Sequence, residues 1–241
     1  MSGDATSAPA PGLTAEERNL ASRGGGGEAI YRLVDRVLAR LHPGGGTLVD
    51  VGCGTGTLWR RVGGRFDRYV GIDVIRYDGF PDDAEFHRLD LDSGRAPLPD
   101  GAADVVTAVE TIEHVENPRA LARELTRLAR PGGLVVVTTP NQLSLLSKVG
   151  LALKNQFPNF QERPGLYPAH ITALLEIDLL RIARECGLVD AAVHYTNSGR
   201  IPGTPWHWPL GLGGRAFSDN VLLAARQPEA AGPGGDRGEA P

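Results

Sequence analysis

The chain has 241 residues, of which 41% are hydrophobic, and a formal net charge of −4 at pH 7. This size suffices for one sizeable α/β core, and the acidic balance disfavours binding of an extended nucleic acid. The two cysteines, Cys53 and Cys186, have neither metal-site spacing nor the number of a disulfide framework. No basic leader is visible, and no stretch approaches the roughly 20 apolar residues that span a bilayer. We therefore expect a cytoplasmic protein without integral membrane segments.

Strand and helix patterns alternate along the chain. Apolar residues at helical spacing from Ala29 to Leu41 predict a first helix, and Asn117 followed by Pro118 predicts the N-cap and first position of a later one. The other predicted elements, in chain order, are a strand at Thr47–Val51, a helix at Leu58–Val62, strands at Tyr69–Asp73, Phe86–Asp90, Val105–Val109 and Leu134–Thr139, a helix at Leu174–Ala183, and strands at Ala191–Tyr195 and Asn220–Ala225.

This alternation predicts a doubly wound α/β domain over residues 13–226, with a mostly parallel seven-stranded sheet and helices on both faces. The tails, residues 1–12 and 227–241, contain little that could be buried and are predicted to be disordered. Residues 141–172 are too long for a simple connection. They predict either a lid over a binding site or a helix packed on the core.

A glycine-rich loop follows the first strand in the sequence VDVGCGTG, with glycine at positions 52, 54 and 56. In an open parallel sheet, ligands bind beyond the carboxyl ends of the strands. Three alternate glycines favour close approach of a ligand to the backbone, whereas a flexible turn would need only one. Thr57 occupies the last position of a GxGxxG fingerprint, which disfavours a dinucleotide.

Two acidic residues are predicted to close neighbouring strands. Asp73 lies 17 residues after Gly56, where a carboxylate can accept both hydroxyls of a ribose. Asp90 is predicted to close the third strand, where its carboxylate could accept from an exocyclic adenine amine. Together with Asp50 and the glycine loop, these acids indicate a site for an adenosine whose other end is not a pyrophosphate.

The segments VDVGCGTGTL, VGIDV, HRLDLD, ADVVTAVETIEHV and RPGGLVVVTTPN occur in this order. They resemble the successive motifs of class I S-adenosylmethionine-dependent methyltransferases, which are Rossmann-like, and specifically the ubiquinone-biosynthesis O-methyltransferase branch. The resemblance covers about residues 45–190. It implies S-adenosyl-L-methionine as cofactor, with Asp50 and the loop at the methionine moiety, Asp73 at the ribose and Asp90 near the adenine. The cofactor-binding residues predicted in this way are Asp50, Gly52, Cys53, Gly54, Gly56, Asp73, Val74, Asp90, Leu91 and Glu110.

The chain departs from this family between the second and third strands. Only 12 residues separate Asp73 from Phe86, which leaves no room for the full helix that the family usually has there. We therefore expect the adenosine side of the site to be either more open than usual or walled by Ile75 and Tyr77.

The stretch VETIEHVENP follows the fourth strand and would place Glu110, Glu113 and His114 on one face if the chain turned helically there. Two carboxylates and an imidazole could hold a divalent cation such as Mg²⁺ or Mn²⁺. The resemblance implies the same set, because some relatives use ExxEH to hold a metal, with a further histidine that His170 in YPAHIT matches. Two alternatives remain open, in which His114 is a metal-free general base or only packs.

The predicted activity is transfer of a methyl group from S-adenosylmethionine to a hydroxyl of a small molecule or sugar. Such an in-line displacement mainly requires alignment of nucleophile and methyl group. The alternatives are an N-methyltransferase, a 2′-O-methyltransferase acting on RNA ends and, in another class, a non-catalytic cofactor-binding regulator or subunit. Trp206 and Trp208 flank His207 in a loop that could stack on an acceptor or form a homodimer contact.

Overall fold

The computed structural model describes Thr14 and residues 16–17, 26–162, 165–209 and 211–230. Seven strands form one sheet in the order β3-β2-β1-β4-β5-β7-β6, in which β7 alone runs antiparallel to its neighbours. The strands are β1 (Thr47–Val51), β2 (Arg68–Asp73), β3 (Glu85–Arg88), β4 (Ala103–Val109), β5 (Ala129–Pro140), β6 (Val189–Tyr195) and β7 (Asn220–Arg226). The longer helices are α1 (Glu28–Leu41), α2 (Thr57–Val62), α3 (Pro118–Leu128), α4 (Leu145–Lys154) and α5 (Glu176–Glu185).

The predicted doubly wound α/β fold is confirmed by two hydrophobic clusters, one on each face of the sheet. Val34 and Leu38 of α1 pack on one face, and Leu125 of α3 and Leu179 of α5 pack on the other. These side chains are at most 1% exposed. Full burial of a leucine contributes roughly 1.5–3 kcal/mol, so the helical spacing of such residues fixes which face of each helix meets the sheet.

The third strand ends earlier than its sequence predicts. β3 stops at Arg88, and Asp90 begins a turn in which its carboxylate accepts a hydrogen bond from the Asp92 backbone N–H at 3.0 Å. Aspartate favours such a turn because its short side chain reaches the backbone two residues later. The prediction that Asp90 closes the strand is therefore wrong, although the residue still lies at the same edge of the sheet.

No helix lies between β2 and β3, as the short connection predicts. Instead the Phe80 ring packs 5.9 Å from the Tyr69 ring and 5.2 Å from the Phe86 ring. The Arg60 guanidinium donates to the carbonyls of Thr55 at 2.9 Å and Gly79 at 2.8 Å. An arginine and an aromatic cluster thus fix this connection against the glycine loop.

Residues 141–172 contain α4, but that helix is not packed on the core. Ser147 is its only fully buried residue, and Leu153 is 80% exposed. The end of the segment is anchored, because the backbone N–H groups of Ile171 and Thr172 both donate to the Glu113 carbonyl at 3.0 Å. The predicted alternative of a helix packed on the core is therefore wrong, and the function of the segment as a lid stays a prediction.

The predicted tail at residues 1–12 lies outside the described residues, as does residue 231 onward. The first residue of the other predicted tail, Gln227, still pairs with β5, where its N–H donates to the Gly133 carbonyl at 2.9 Å. Within the described part of the chain, no helix is both long and apolar enough to cross a bilayer.

Candidate functional site

A cavity of about 250 Å³ lies beyond the carboxyl ends of the central parallel strands. It brings together most of the residues that the sequence singles out, because the loops after β1, β2, β3 and β4 all open at this edge. The predicted site residues in its walls are Gly52, Gly54, Asp73, Val74, Asp90, Leu91, Glu110, His114 and His170. Glu113 lies directly behind this wall, beside His114 and His170.

Asp73 connects the glycine loop to the second strand. Its Oδ2 accepts from the Gly54 N–H at 2.8 Å, and its Oδ1 accepts from the Val74 N–H at 2.7 Å. The side chain is only 2% exposed, so these bonds fix the carboxylate at the cavity wall. Hydrogen bonds from backbone N–H groups favour an ionised carboxylate.

Three of the predicted cofactor contacts, Asp50, Cys53 and Gly56, do not line the cavity. Asp50 accepts hydrogen bonds from Thr107 Oγ1 at 2.7 Å and from the Tyr69 hydroxyl at 3.0 Å. Burial raises the pKa of Asp50 to about 6 and also raises that of the Cys53 thiol. Asp50 is thus held by side chains of β2 and β4, and its contact with the methionine moiety stays a prediction.

The loop glycines are required by the backbone itself. Gly52 and Gly54 have φ angles of +74° and +51°, in the left-handed region that other residues rarely adopt. A β-carbon on Gly52 would lie 2.2 Å from Thr111 Oγ1, and one on Gly56 would lie 2.6 Å from Pro81 Cδ. A β-carbon on Gly52 or Gly56 would therefore overlap the protein itself.

We expect the substitution Gly52→Ala to lower the free energy of unfolding by about 2 kcal/mol, because it combines backbone strain with overlap on Thr111. Urea titration followed by circular dichroism would measure this change. Gly64→Ala is the matched control, since a β-carbon there has no neighbour within 4 Å. Equal stability of the two variants would contradict the assignment of strain to Gly52.

Glu110 follows β4 with a φ angle of +52°, so the chain does not turn helically between Glu110 and Glu113. Its carboxylate accepts from Thr138 Oγ1 at Oε1 and from Asn220 Nδ2 at Oε2, both at 2.9 Å. Burial raises the pKa of Glu110 to about 7. The predicted shared face of Glu110, Glu113 and His114 is therefore wrong, and Glu110 stands apart from the other two.

Glu113, His114 and His170 form a compact cluster. One ligand atom from each lies within 4.8 Å of the other two. Glu113 is 0% exposed, and neither of its carboxylate oxygens accepts a hydrogen bond from any described residue. Burial, followed by the charge of Glu110, raises the pKa of Glu113 well above its ordinary value. A buried carboxylate without donors is costly, and a bound cation would remove that cost.

The two imidazoles of the cluster have defined chemical states. His114 Nδ1 lies 2.9 Å from the Ala169 carbonyl, which only accepts, so Nδ1 carries a proton, and in a neutral ring the lone pair would be on Nε2. Burial and the charge of His114 lower the pKa of His170 to about 3. His170 is therefore neutral near pH 7, which is the form that binds metals.

The structure also places in the wall several residues that the sequence interpretation missed. They are Gly26, Gly27, Tyr31, Asn159, Leu166 and Asn220. A run of four glycines before α1 was a usable signal for the first two, whereas nothing in the sequence marks Asn220. The tryptophan loop lies elsewhere, because Trp206 is 71% exposed and Trp208 packs edge-on against Phe217 at 5.1 Å.

The sheet order and the cavity at its carboxyl edge define a class I, Rossmann-like methyltransferase fold. The chain belongs to the family described as "Methyltransferase domain", which matches residues 23–190. The ubiquinone biosynthesis O-methyltransferase of Xanthomonas oryzae pv. oryzae (strain PXO99A) is 32% identical in an alignment of 117 residues, which covers 45% of this chain and 49% of that protein. The chain thus spans about half the length of the curated relatives it matches.

Solved structures confirm the fold. A SAM-dependent methyltransferase from Archaeoglobus fulgidus matches with a TM-score of 0.59 at 17% identity, covering 81% of this chain and 94% of that chain. The [4+2]-cyclase SpnF matches with a TM-score of 0.54 at 20% identity, and the match covers 83% of this chain and 81% of that chain. Because this fold also serves a cyclase, the reaction has to be argued from the site.

Proposed function

We propose that the protein binds S-adenosyl-L-methionine in this cavity and transfers its methyl group to a hydroxyl of a small molecule or sugar. The observation that carries the proposal is that one cavity is lined both by residues that could bind a cofactor and by residues that could activate an acceptor hydroxyl. Asp73 and Gly54 form a polar cradle on one side, and His114 and His170 form a proton-accepting or cation-binding side. The methyltransferase family and the O-methyltransferase named above support this assignment.

Asp73 is the proposed contact to the ribose. A carboxylate oxygen offers about two acceptor sites, so the side chain can hold the Gly54 N–H and accept ribose hydroxyls at the same time. Asp90 and Leu91 line the same cavity, and we place the adenine beside them. Val74 adjoins Asp73 in this wall.

We further propose that Glu113, His114 and His170 hold a divalent cation. The cluster fits one, because Glu113 is fully buried without a donor and both rings offer a ligand nitrogen. Two imidazoles and one carboxylate favour Mn²⁺ over Mg²⁺, which prefers oxygen ligands. A cation there would lower the pKa of an acceptor hydroxyl and orient it.

His114 also supports an alternative without a metal. The Ala169 carbonyl orients its ring and leaves the lone pair on Nε2, which could accept the proton of the acceptor hydroxyl. Because His114 lines the cavity in both cases, the geometry alone allows either role, and the dependence of turnover on added metal separates them.

The test is transfer of a labelled methyl group from S-adenosylmethionine to small phenols, sugars and amines, and to a short RNA with a free 3′-terminal ribose. We expect labelled products from the phenols or sugars. Label only on amines or on RNA would favour the corresponding alternative enzyme. Tight binding of S-adenosylhomocysteine with no transfer, even with a crude metabolite extract, would favour a non-catalytic binder.

A further inference from the structure

The carboxylate of Glu110 is held by side chains from two other strands. The hydroxyl of Thr138, on β5, makes two hydrogen bonds to Glu110. It accepts from the Glu110 backbone N–H at 2.9 Å and donates to Glu110 Oε1. Asn220, the first residue of β7, donates to Oε2. Both carboxylate oxygens and the backbone of Glu110 are therefore fixed, although its φ of +52° is unusual for glutamate.

The charge of the cavity points to a cationic ligand. Its walls contain four carboxylates, from Asp73, Asp90, Asp92 and Glu110, and no lysine or arginine among the described residues. Glu110 forms no salt bridge with any described residue either, because its oxygens meet a hydroxyl and an amide. A partly buried carboxylate held in this way is suited to a positively charged group brought by a ligand.

The sheet order sets which part of the cofactor would meet Glu110. Asp73 ends β2 and Glu110 follows β4, and β1 lies between them. Two strand spacings correspond to about 10 Å. This distance suits the reach from the ribose to the amino-acid end of S-adenosylmethionine, whose α-amino group is an ammonium at neutral pH.

We propose that Glu110 binds the α-ammonium group of the cofactor and that Thr138 and Asn220 are positioning residues for this contact. The inference rests on the proposed function, since it requires S-adenosylmethionine in the cavity. It adds two residues, from β5 and β7, that act on the cofactor through Glu110.

The test compares two ligands that differ only in this group, S-adenosylhomocysteine and its analogue without the α-amino group, by isothermal titration calorimetry. We expect Asn220→Ala and Thr138→Val each to weaken binding of S-adenosylhomocysteine about tenfold, since each removes a hydrogen bond to a charged group. Binding of the desamino analogue should change less than about twofold, because that ligand makes no contact with Glu110.

Two control variants remove similar groups from side chains that do not line the cavity. Asn117→Ala deletes the helix cap that accepts from the Ala120 N–H, and Thr126→Val deletes a buried hydroxyl bonded to the Ala122 carbonyl. Both should leave the affinity ratio of the two ligands unchanged. If Asn220→Ala does not fold, the affinities of Thr138→Val for the two ligands test the proposal alone, because valine keeps the shape of threonine.

Equal weakening of both ligands in the Asn220 and Thr138 variants would overturn the proposal and leave these residues a structural role only. Equal affinity of the unmodified protein for both ligands would overturn the Glu110 contact while keeping the proposed function. Failure of the unmodified protein to bind either ligand would remove the proposed function itself, and the inference with it.

Discussion

Replacing Glu113 with glutamine is expected to lower kcat by about 100-fold or more without lowering the melting temperature of the metal-free protein. Glutamine keeps the shape of the side chain but is a poor metal ligand. The carboxylate it replaces is fully buried and accepts no hydrogen bond from the described residues, so the substitution breaks no hydrogen bond of the folded apoprotein. Steady-state kinetics with saturating Mn²⁺ and calorimetric melting of the apoprotein measure the two effects.

Glu124→Gln is the matched control for this experiment. Glu124 lies on α3 and pairs with Arg127 at 2.5 Å, away from the cavity. We expect this variant to melt at a slightly lower temperature and to keep its kcat. Loss of activity with retained stability at Glu113, and the reverse at Glu124, would separate a functional carboxylate from a structural one.

Chelation decides between the two roles of His114. If the cluster holds a cation, dialysis against a strong chelator should stop turnover, and added Mn²⁺ should restore it. Full activity after dialysis would contradict the metal site. His114 would then act as a metal-free base, and Glu113→Gln would be mild.

The second large effect is expected at Asp73, where substitution by alanine should weaken binding of S-adenosylhomocysteine by more than about tenfold. The ribose would lose a charged acceptor, and the Gly54 and Val74 N–H groups would lose theirs. Calorimetric titration measures the affinity. Unchanged affinity would remove Asp73 from the cofactor site.

Loss of the loop contacts alone could also weaken binding, so a second ligand is needed. An analogue without the two ribose hydroxyls should lose much less affinity on Asp73→Ala than S-adenosylhomocysteine does. Asp67→Ala serves as control, because Asp67 likewise accepts from a glycine N–H, that of Gly46 at 2.7 Å, but lies outside the cavity. A similar loss for both ligands would assign Asp73 to loop support only.

The sequence by itself determined the layers of the fold and the edge at which the site lies. β1 has its predicted bounds, Thr47–Val51, because an apolar run buried on both faces leaves little choice of structure. The glycine loop and Asp73 were predictable as neighbours because the carboxyl ends of parallel strands meet at one edge. The layers of the fold and the position of the site can be predicted from the sequence, because hydrophobic periodicity and strand ends are properties of short segments.

Only the tertiary structure decided which side chains share a function. The left-handed backbone of Glu110 interrupts the helical spacing that would have joined it to Glu113, and the anchored segment before Thr172 brings His170 to the cluster instead. Asn220 reaches Glu110 across 110 residues because β7 inserts antiparallel between β5 and β6. Such contacts depend on strand order and on the path of distant loops, which are set by packing of the whole domain rather than by the pattern of any one segment.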